Sequence, residues 1–357
     1  MRTDYMGKDV FVGIDVHKKS YTIYCICDRA KVKSWTMEAN VSLLIEQLRT
    51  YFPKARIHAC YEAGFSGYTL HRALKDSGIN SIVVNPGSIE TASRDRVKTD
   101  KRDAKKLAEQ LSDGRLKCIY VPTIEEELLR LYTRHRATVV KDRGREACRI
   151  KSKLFQFGYD SLVSEKKAAS EKWVKEVRDY PNYPEELKQV LFYLCESWLN
   201  LTQELKEINQ KIVLQSKNNK QCVIQEAVYK SVPGIGTISS KELSRELGTL
   251  SQFNSNKSVY SYIGLTPSES SSGERRKQGG ISHCGRPRLR HLLIEVAWRS
   301  VGKDAELAEK FAALSVRRGK KRAIVAIARI LVGRIRTCFA NGMYYQPQPL
   351  TINASKD

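Results

Sequence analysis

Apolar runs in the first third of the chain predict strands and helices in mixed order. Short runs rich in β-branched and aromatic residues at 10–15, 21–27 and 34–39 predict three strands in an antiparallel meander. Helical spacing and further short runs then predict a helix, a strand, a helix, a strand and a helix over 42–52, 57–62, 68–77, 81–85 and 99–111. We therefore expect an α/β domain over residues 1–122.

The middle of the chain, residues 123–224, has helical periodicity. Residues 124–157 and 186–217 predict two long charged helices, and Pro181 and Pro184 interrupt the segment between them. We interpret this region as a coiled-coil-like arm that pairs subunits. A helical insertion packed on its own core is the alternative.

Residues 225–345 predict a second, mainly helical domain. Val232–Gly236 reads Val-Pro-Gly-Ile-Gly and matches a helix-hairpin-helix motif, in which Gly234 and Gly236 would let backbone amides approach a phosphate. A short helix near 258–264, a Ser- and Gly-rich loop or hairpin over 266–285, and helices over 289–301 and 322–336 follow. We expect residues 346–357 to form a flexible tail.

The net charge of the chain indicates the class of molecule that it binds. The 357 residues carry a formal net charge of +23, which favours a polyanion such as nucleic acid over a merely solvated basic surface. Nine scattered cysteines without a Cys-x-x-Cys pair are typical of a reducing cytosol. No apolar stretch reaches about 18 residues, so we expect no membrane span, and with the scattered cysteines this favours a cytoplasmic protein.

Four acidic residues form a candidate metal site. Asp15 and Glu62 each end a predicted strand, and Asp100 and Asp103 share one side of a predicted helix. Converging carboxylates suit Mg²⁺ or Mn²⁺, which two-metal nucleases use, although helix-start acids also occur for dipole reasons alone. Cations that could contact the phosphate backbone flank the helix pair: Lys98, Lys101 and Arg102. We interpret His17 as a neutral turn residue, although it could approach the site.

A serine-rich segment forms the second candidate site. Ser271 and Ser272 precede Gly273, and we favour Ser272 as a nucleophile because the glycine would allow close approach of a phosphate. Cations that could stabilise a phosphoryl transition state follow it: Arg275, Arg276, Lys277, Arg286, Arg288 and Arg290. A plain Ser/Gly loop is the alternative. His283 and His291 are candidate proton carriers, but the residue order does not match a Ser–His–Asp triad of a hydrolase.

Short motifs along nearly the whole chain resemble the insertion-sequence one-ten family of transposases. The N-terminal matches are Gly-Ile-Asp-Val-His-Lys at 13–18, Tyr-Glu-Ala-Gly at 61–64 and Lys-Thr-Asp-Lys-Arg-Asp-Ala at 98–104. The C-terminal matches are Val-Pro-Gly-Ile-Gly at 232–236, Gly-Leu-Thr-Pro at 264–267, Ser-Ser-Gly at 271–273 and Gly-Ile-Ser at 280–282. They occur in the family's order. Ser-His-Cys-Gly at 282–285 departs from the family's more usual Ser/Thr-Lys-x-Gly.

The resemblance implies a fold and a chemistry. It implies a ribonuclease-H-like, RuvC-like N-terminal DEDD domain with Mg²⁺, and a helical domain whose serine forms a transient phosphoserine link to DNA. It also implies a dimer or tetramer acting on donor and target double-stranded DNA, and for some members a noncoding bridge RNA as guide. Alternatives are a metal-dependent nuclease or junction resolvase without serine chemistry, a Piv-like DNA invertase, and a non-catalytic nucleic-acid-binding protein.

Overall fold

The chain divides into two compact units at the Pro122–Thr123 boundary. The computed structural model describes residues 4–90, 99–163, 169–217, 219–272, 275–282 and 284–348, with the backbone alone for 270–278. Within these residues no helix combines the length and the apolar character needed to cross a bilayer.

The N-terminal unit is built on a five-stranded sheet with strand order β3-β2-β1-β4-β5. β1 pairs antiparallel with β2 and parallel with β4, so the meander and the parallel half meet at β1. The elements are β1 (Asp9–Val16), β2 (Ser20–Cys27), β3 (Ala30–Glu38), α1 (Val41–Tyr51), β4 (Arg56–Glu62), α2 (Thr69–Asp76), β5 (Asn80–Val84) and α3 (Asp100–Ser112). The predicted α/β order is confirmed, with β3 beginning four residues earlier than expected.

The two faces of this sheet pack against different helices. Val10, Val12 and Ile14 of β1 belong to a core shared with Leu44 of α1 and Leu70 of α2. Alternate strand residues point to opposite faces, so the residues between them face the other way. The second face carries small clusters that join β2, β4 and β5 to buried residues of α3, namely Ala104, Leu107 and Ala108.

The unit that begins at Thr123 is mainly helical. Its helices are α4 (Ile124–Gln156), α5 (Glu171–Arg178), α6 (Glu185–Lys217), α7 (Lys220–Lys230), α8 (Thr237–Leu247), α9 (Asn256–Ile263), α10 (Pro287–Val301), α11 (Ala305–Arg318) and α12 (Lys320–Ala340). One hairpin, β6 (Pro267–Ser272) and β7 (Arg275–Ile281), lies between α9 and α10.

The two long helices α4 and α6 pack along one another. Thr123 begins α4 with a capping box, in which the Thr123 hydroxyl accepts from the Glu126 amide and the Glu126 carboxylate accepts from the Thr123 amide. Val139 of α4 shares a buried cluster with Leu205, Ile208 and Ile212 of α6. The helical hairpin formed by α4 and α6 therefore has a buried core of its own.

Three helices were not expected from the sequence. α5, α7 and α11 are short to medium helices whose apolar positions are few or interrupted by charge, so periodicity alone did not mark them. The expected boundary between residues 224 and 225 falls inside α7.

A buried ionic group joins α6, α7 and α8. Glu226 of α7 pairs with Lys241 of α8, and both side chains are only 9% exposed. The Ser216 hydroxyl donates to the second Glu226 oxygen at 2.6 Å. The Arg245 guanidinium donates to the Ile212 carbonyl at 2.8 Å. The three helices are thus held by polar contacts that water does not reach.

Breaking the buried pair should destabilise the protein strongly. Glu226→Ala leaves Lys241 charged without its partner, and we expect a loss of about 3–5 kcal/mol in the free energy of unfolding, measured by urea denaturation. The control is Glu171→Ala, because Glu171 forms an exposed pair with Lys206, and its removal should cost much less than the removal of Glu226. Equal losses for the two variants would contradict the assignment.

Candidate functional site

The acids at the ends of β1 and β4 lie at the same edge and on the same face of the sheet. The parallel register pairs Gly13 with Cys60 and Ile14 with Tyr61, so Asp15 and Glu62 follow at the carboxyl ends of neighbouring strands. Cys60 lies on the α3 face, where its thiol donates to the Leu107 carbonyl at 3.5 Å. Strand alternation places Glu62 on that face as well.

Gly13 brings α3 against β1. A Cβ at Gly13 would lie 2.1 Å from the Ala104 carbonyl oxygen, 2.6 Å from the Ala108 amide nitrogen and 2.9 Å from the Leu107 Cβ. Only a glycine allows the helix backbone to approach this closely. Asp15 is two residues from Gly13, and Asp103 precedes Ala104. The same contact therefore carries the helix acids towards the strand acid.

The first turn of α3 holds its acids in fixed positions. The Thr99 hydroxyl accepts from the Arg102 amide at 3.4 Å and caps the helix. Asp100 and Asp103 follow in the first turn, where the helix dipole favours negative charge. The Asp103 side chain is 20% exposed, and its carboxylate lies 3.9 Å from the Lys106 ammonium.

His17 reaches the acids as well. It lies in the turn after β1, where its amide donates to the Ser20 carbonyl. Its Nε2 is 3.2 Å from an Asp15 oxygen and 3.3 Å from an Asp100 oxygen. We interpreted His17 as a turn residue that could approach the site, and the structure brings it to the acids. The side-chain contact depends on Asp100, which is distant in sequence.

The electrostatics and donor chemistry of this group fit a hard divalent cation. Among the described residues, Asp15, His17 and Asp100 offer ligand atoms that all lie within 4.8 Å of one another. Burial raises the pKa of Asp15, the Asp100 and Asp103 charges raise it further, and His17 opposes the rise. A cation would relieve this repulsion, and carboxylate oxygens suit magnesium or manganese. Glu62 and Asp103 lie outside that closest group.

The loop after Glu62 is anchored by a buried tyrosine. The Tyr61 hydroxyl donates to the Gly67 carbonyl at 3.0 Å and accepts from the His71 amide at 3.3 Å. Burial raises the pKa of Tyr61 to about 12, so the hydroxyl keeps its proton at neutral pH. The carboxyl end of β4 is therefore held in place.

The cations predicted to contact phosphate flank the acids of α3. Lys101 and Arg102 are exposed on α3, and Lys98 lies outside the described residues.

The predicted serines lie on β6, in the hairpin of the helical unit. The backbone register pairs Ser271 with Arg276 and Ser272 with Arg275, and Lys277 pairs with Ser270. Ser272 is thus the last strand residue before the two-residue connection. The hairpin is one of the two forms expected for this segment.

Two glycines and an arginine hold the root of the hairpin. Gly264 and Gly285 both have positive φ, at 85° and 81°. A Cβ on Gly285 would lie 2.6 Å from the Gly264 amide nitrogen. Arg290 is 9% exposed, and its guanidinium donates to the Cys284 carbonyl at 2.9 Å and to the Gly264 carbonyl at 3.3 Å. We expected Arg290 at a phosphate; these bonds instead attach α10 to the hairpin root.

Arg288 and Arg286 differ in their surroundings. The Arg288 guanidinium binds both carboxylate oxygens of Glu242, the second at 2.6 Å, although we expected it to contact phosphate. Arg286 is exposed, and its guanidinium lies over the Tyr262 ring at 5.6 Å. Arg286 is the one of these two that presents its charge at the surface.

The predicted helix-hairpin-helix glycines connect α7 to α8. Gly234 has a φ of 90°, and a Cβ there would lie 2.6 Å from the Arg299 Cβ of α10. The Ser300 hydroxyl donates to the Pro233 carbonyl at 2.6 Å and fixes the turn. Gly236 is the N-cap of α8 and is exposed without a side-chain cap. The first amides of α8 therefore open towards solvent.

Two family models match the chain. One, for transposases of the DEDD type from IS110, matches residues 12–158. The other, described as the transposase IS116/IS110/IS902 family, matches residues 227–312. Together they cover more than half of the chain, and they include both candidate sites.

Curated relatives carry the same assignment. The transposase for insertion sequence element IS1533 of Leptospira borgpetersenii is 28% identical over 353 residues, which is 94% of this chain and 97% of the relative. The transposase y4qE of Sinorhizobium fredii is 28% identical over 301 residues, or 82% of this chain and 72% of the relative. The transposase for IS1111A of Coxiella burnetii is 25% identical over 72% of this chain and 71% of the relative.

Filling the space at Gly13 should separate α3 from β1. Gly13→Ala places a methyl group within 3 Å of helix backbone atoms, and we expect a loss of about 1–3 kcal/mol in unfolding free energy together with loss of divalent-metal binding. The control is Gly144→Ala in α4, where a Cβ meets nothing within 4 Å and should stabilise by about 0.5–1 kcal/mol. Calorimetry and metal titration measure both. An unchanged Gly13→Ala protein would refute the role of this contact.

Proposed function

Because this chain belongs to the IS116/IS110/IS902 family of transposases, and is thus an enzyme acting on DNA, we propose that it cleaves and rejoins DNA strands with two chemical centres. One centre is the acidic group of Asp15, Glu62, Asp100 and Asp103. The other is a serine of the β6–β7 hairpin. The observation that carries the proposal is the convergence of Asp15 with Asp100 and His17 at the end of β1.

We infer a ribonuclease-H-like, RuvC-like fold for the N-terminal unit. The support is a five-stranded sheet with a three-strand antiparallel meander, two further parallel strands and an acid at the end of the central strand. The helix α3 on one face supplies the last two acids of the DEDD set.

The acids would hold Mg²⁺ or Mn²⁺. When bound, the metal would supply positive charge that activates an attacking oxygen and stabilises a leaving one. Asp15 and Asp100 would be its nearest ligands, with Glu62 and Asp103 completing the acidic set. His17 Nε2, between the two aspartates, is placed to exchange a proton with them. Lys101 and Arg102 would contact the phosphates on either side.

The serine centre would conserve the energy of the phosphodiester bond. The hydroxyl oxygen of Ser272, or of Ser271, attacks phosphorus, its proton leaves to a base, and the departing strand oxygen gains a proton. A hydroxyl of a second strand then attacks the phosphoserine and releases the serine. Cations for the transition state would come from Arg275, Arg276, Lys277 and the exposed Arg286.

Duplex DNA, as donor and target, is the proposed substrate. The open N-terminus of α8 at Gly236 would take a backbone phosphate, as helix-hairpin-helix motifs do. We further propose that a noncoding RNA from the element guides the choice of sites, for which the charge of +23 is the supporting observation.

Subunit pairing is proposed through the α4–α6 hairpin. Ile124, Leu128 and Leu131 recur at helical spacing on α4 and are 54%, 53% and 58% exposed. A stripe of this kind is typical of a helix that packs against another chain. A dimer or tetramer would follow.

Removing one acid should abolish strand cleavage without unfolding the protein. We expect Asp15→Asn and Asp103→Asn to lower the Mg²⁺-dependent rate by roughly a thousandfold, since several kcal/mol of charge stabilisation is lost. Burial raises the pKa of Asp15, so its charged form is less favourable in the folded protein than in the unfolded chain, and Asp15→Asn should unfold at no lower temperature in chelator. Asp113→Asn at the other end of α3 is the control. Full activity in Asp15→Asn would refute the metal centre.

Trapping should identify the nucleophile. We expect protein denatured during reaction with element-end DNA, Mg²⁺ and RNA from the element's flanks to carry covalently attached DNA, and Ser272→Ala to lose it. Ser271→Ala is the matched control and should retain the adduct. Loss in Ser271→Ala alone would move the role to that residue. Metal-dependent cleavage with no adduct in any protein would favour a metal-only nuclease.

A further inference from the structure

The turn between α11 and α12 concentrates positive charge that neither proposed centre uses. Residues 317–322 read Arg-Arg-Gly-Lys-Lys-Arg, and all six are exposed. We call this segment the basic corner. Its five cations lie on two helices joined by a single glycine, Gly319.

Within the part of the chain that the structure describes, the cations of the basic corner have no ion-pair partner. Among the described residues, no carboxylate lies within 4.0 Å of any of them. Two acids at the start of α11 serve other cations: Glu306 pairs with Lys310 and with Arg334, and Asp304 lies beside Arg334. Local ion pairing therefore does not account for the charge.

The position of three of these cations opposes the helix dipole. Lys320, Lys321 and Arg322 form the first turn of α12, which contains no acid. The positive end of a helix disfavours cations there. The two longest helices follow the rule, since α4 begins with Glu125–Glu127 and α6 with Glu185 and Glu186. We interpret the placement of three cations at the start of α12 as a loss of helix stability that is retained for function.

The basic corner is held on a rigid support. Gly319 has a φ of 77°, and its amide donates to the Ser315 carbonyl at 2.9 Å. Ala323 follows and is buried, and Ile324 and Ile327 belong to the main core of the helical unit. The charges are therefore presented by a packed turn rather than by a loose tail.

We propose that the basic corner binds consecutive phosphates of a nucleic-acid backbone, as a contact surface additional to both chemical centres. A polyanion would offset the mutual repulsion of the cations and their unfavourable place at the start of α12. Contacts to phosphate oxygens carry no sequence information directly, so this surface would add affinity without reading sequence. Duplex DNA and structured RNA share this chemistry. The inference rests on the proposed function, because it assumes a nucleic-acid substrate.

The test is the salt dependence of binding. The full-length variant Lys320→Gln/Lys321→Gln/Arg322→Gln is compared with wild type on a duplex DNA and on a stem-loop RNA of equal length. We expect the log–log salt slope to fall by roughly two to three and affinity to fall at least about tenfold near 100 mM salt on at least one probe. Because cations leave the start of α12, the unfolding temperature should stay equal or rise. A structural role for these residues would lower it.

A matched variant separates the basic corner from net charge. Lys172→Gln/Lys175→Gln/Lys188→Gln removes three exposed lysines from α5 and α6 and should leave the slope close to wild type. A changed slope on DNA alone or on RNA alone identifies the bound polymer. Equal effects of the two triple variants, or a wild-type slope in the corner variant, would overturn the inference while leaving the proposed function intact. Failure of wild type to bind either probe would refute both.

Discussion

The close contact between the α3 backbone and Gly13 determines where the acids of the N-terminal unit lie. The helix rests on the central strand with no room for a Cβ, so its first turn is carried to the carboxyl end of β1. Asp15 and Asp100 then share His17, and burial, together with the charges of Asp100 and Asp103, raises the pKa of Asp15. The packing of α3 and the electrostatics of the acids are coupled, since a larger distance between α3 and β1 would separate the carboxylates that a divalent cation would bind.

The candidate sites of the helical unit also depend on the close approach of glycines to neighbouring segments. The root of the β6–β7 hairpin depends on the approach of Gly285 to Gly264, and the α7–α8 turn depends on the approach of Gly234 to α10. Buried polar side chains then fix each turn, Arg290 at the hairpin and Ser300 at Pro233. Close backbone packing removes alternative conformations, which is what a site for a phosphate requires of its support.

Cations that occur in similar basic runs of the sequence make different contacts in the fold. Arg290 and Arg288 follow the hairpin in one basic run, yet one binds buried carbonyls and the other a buried glutamate. The basic corner has no such partners among the described residues and stays exposed. Composition therefore indicates the kind of partner, whereas burial decides which cations are available to meet it.

The sequence by itself determined the alternation of the N-terminal strands and the acids at their ends, because these follow from local periodicity and from short motifs. For the serine segment it left both a loop and a hairpin open. It did not determine that His17 reaches Asp100, that Arg290 is buried, or that α5, α7 and α11 form. Those features depend on contacts between residues distant in the chain, and helices with weak apolar periodicity are stabilised mainly by tertiary packing. Local pattern places residues on elements; only the packing of elements decides which side chains meet.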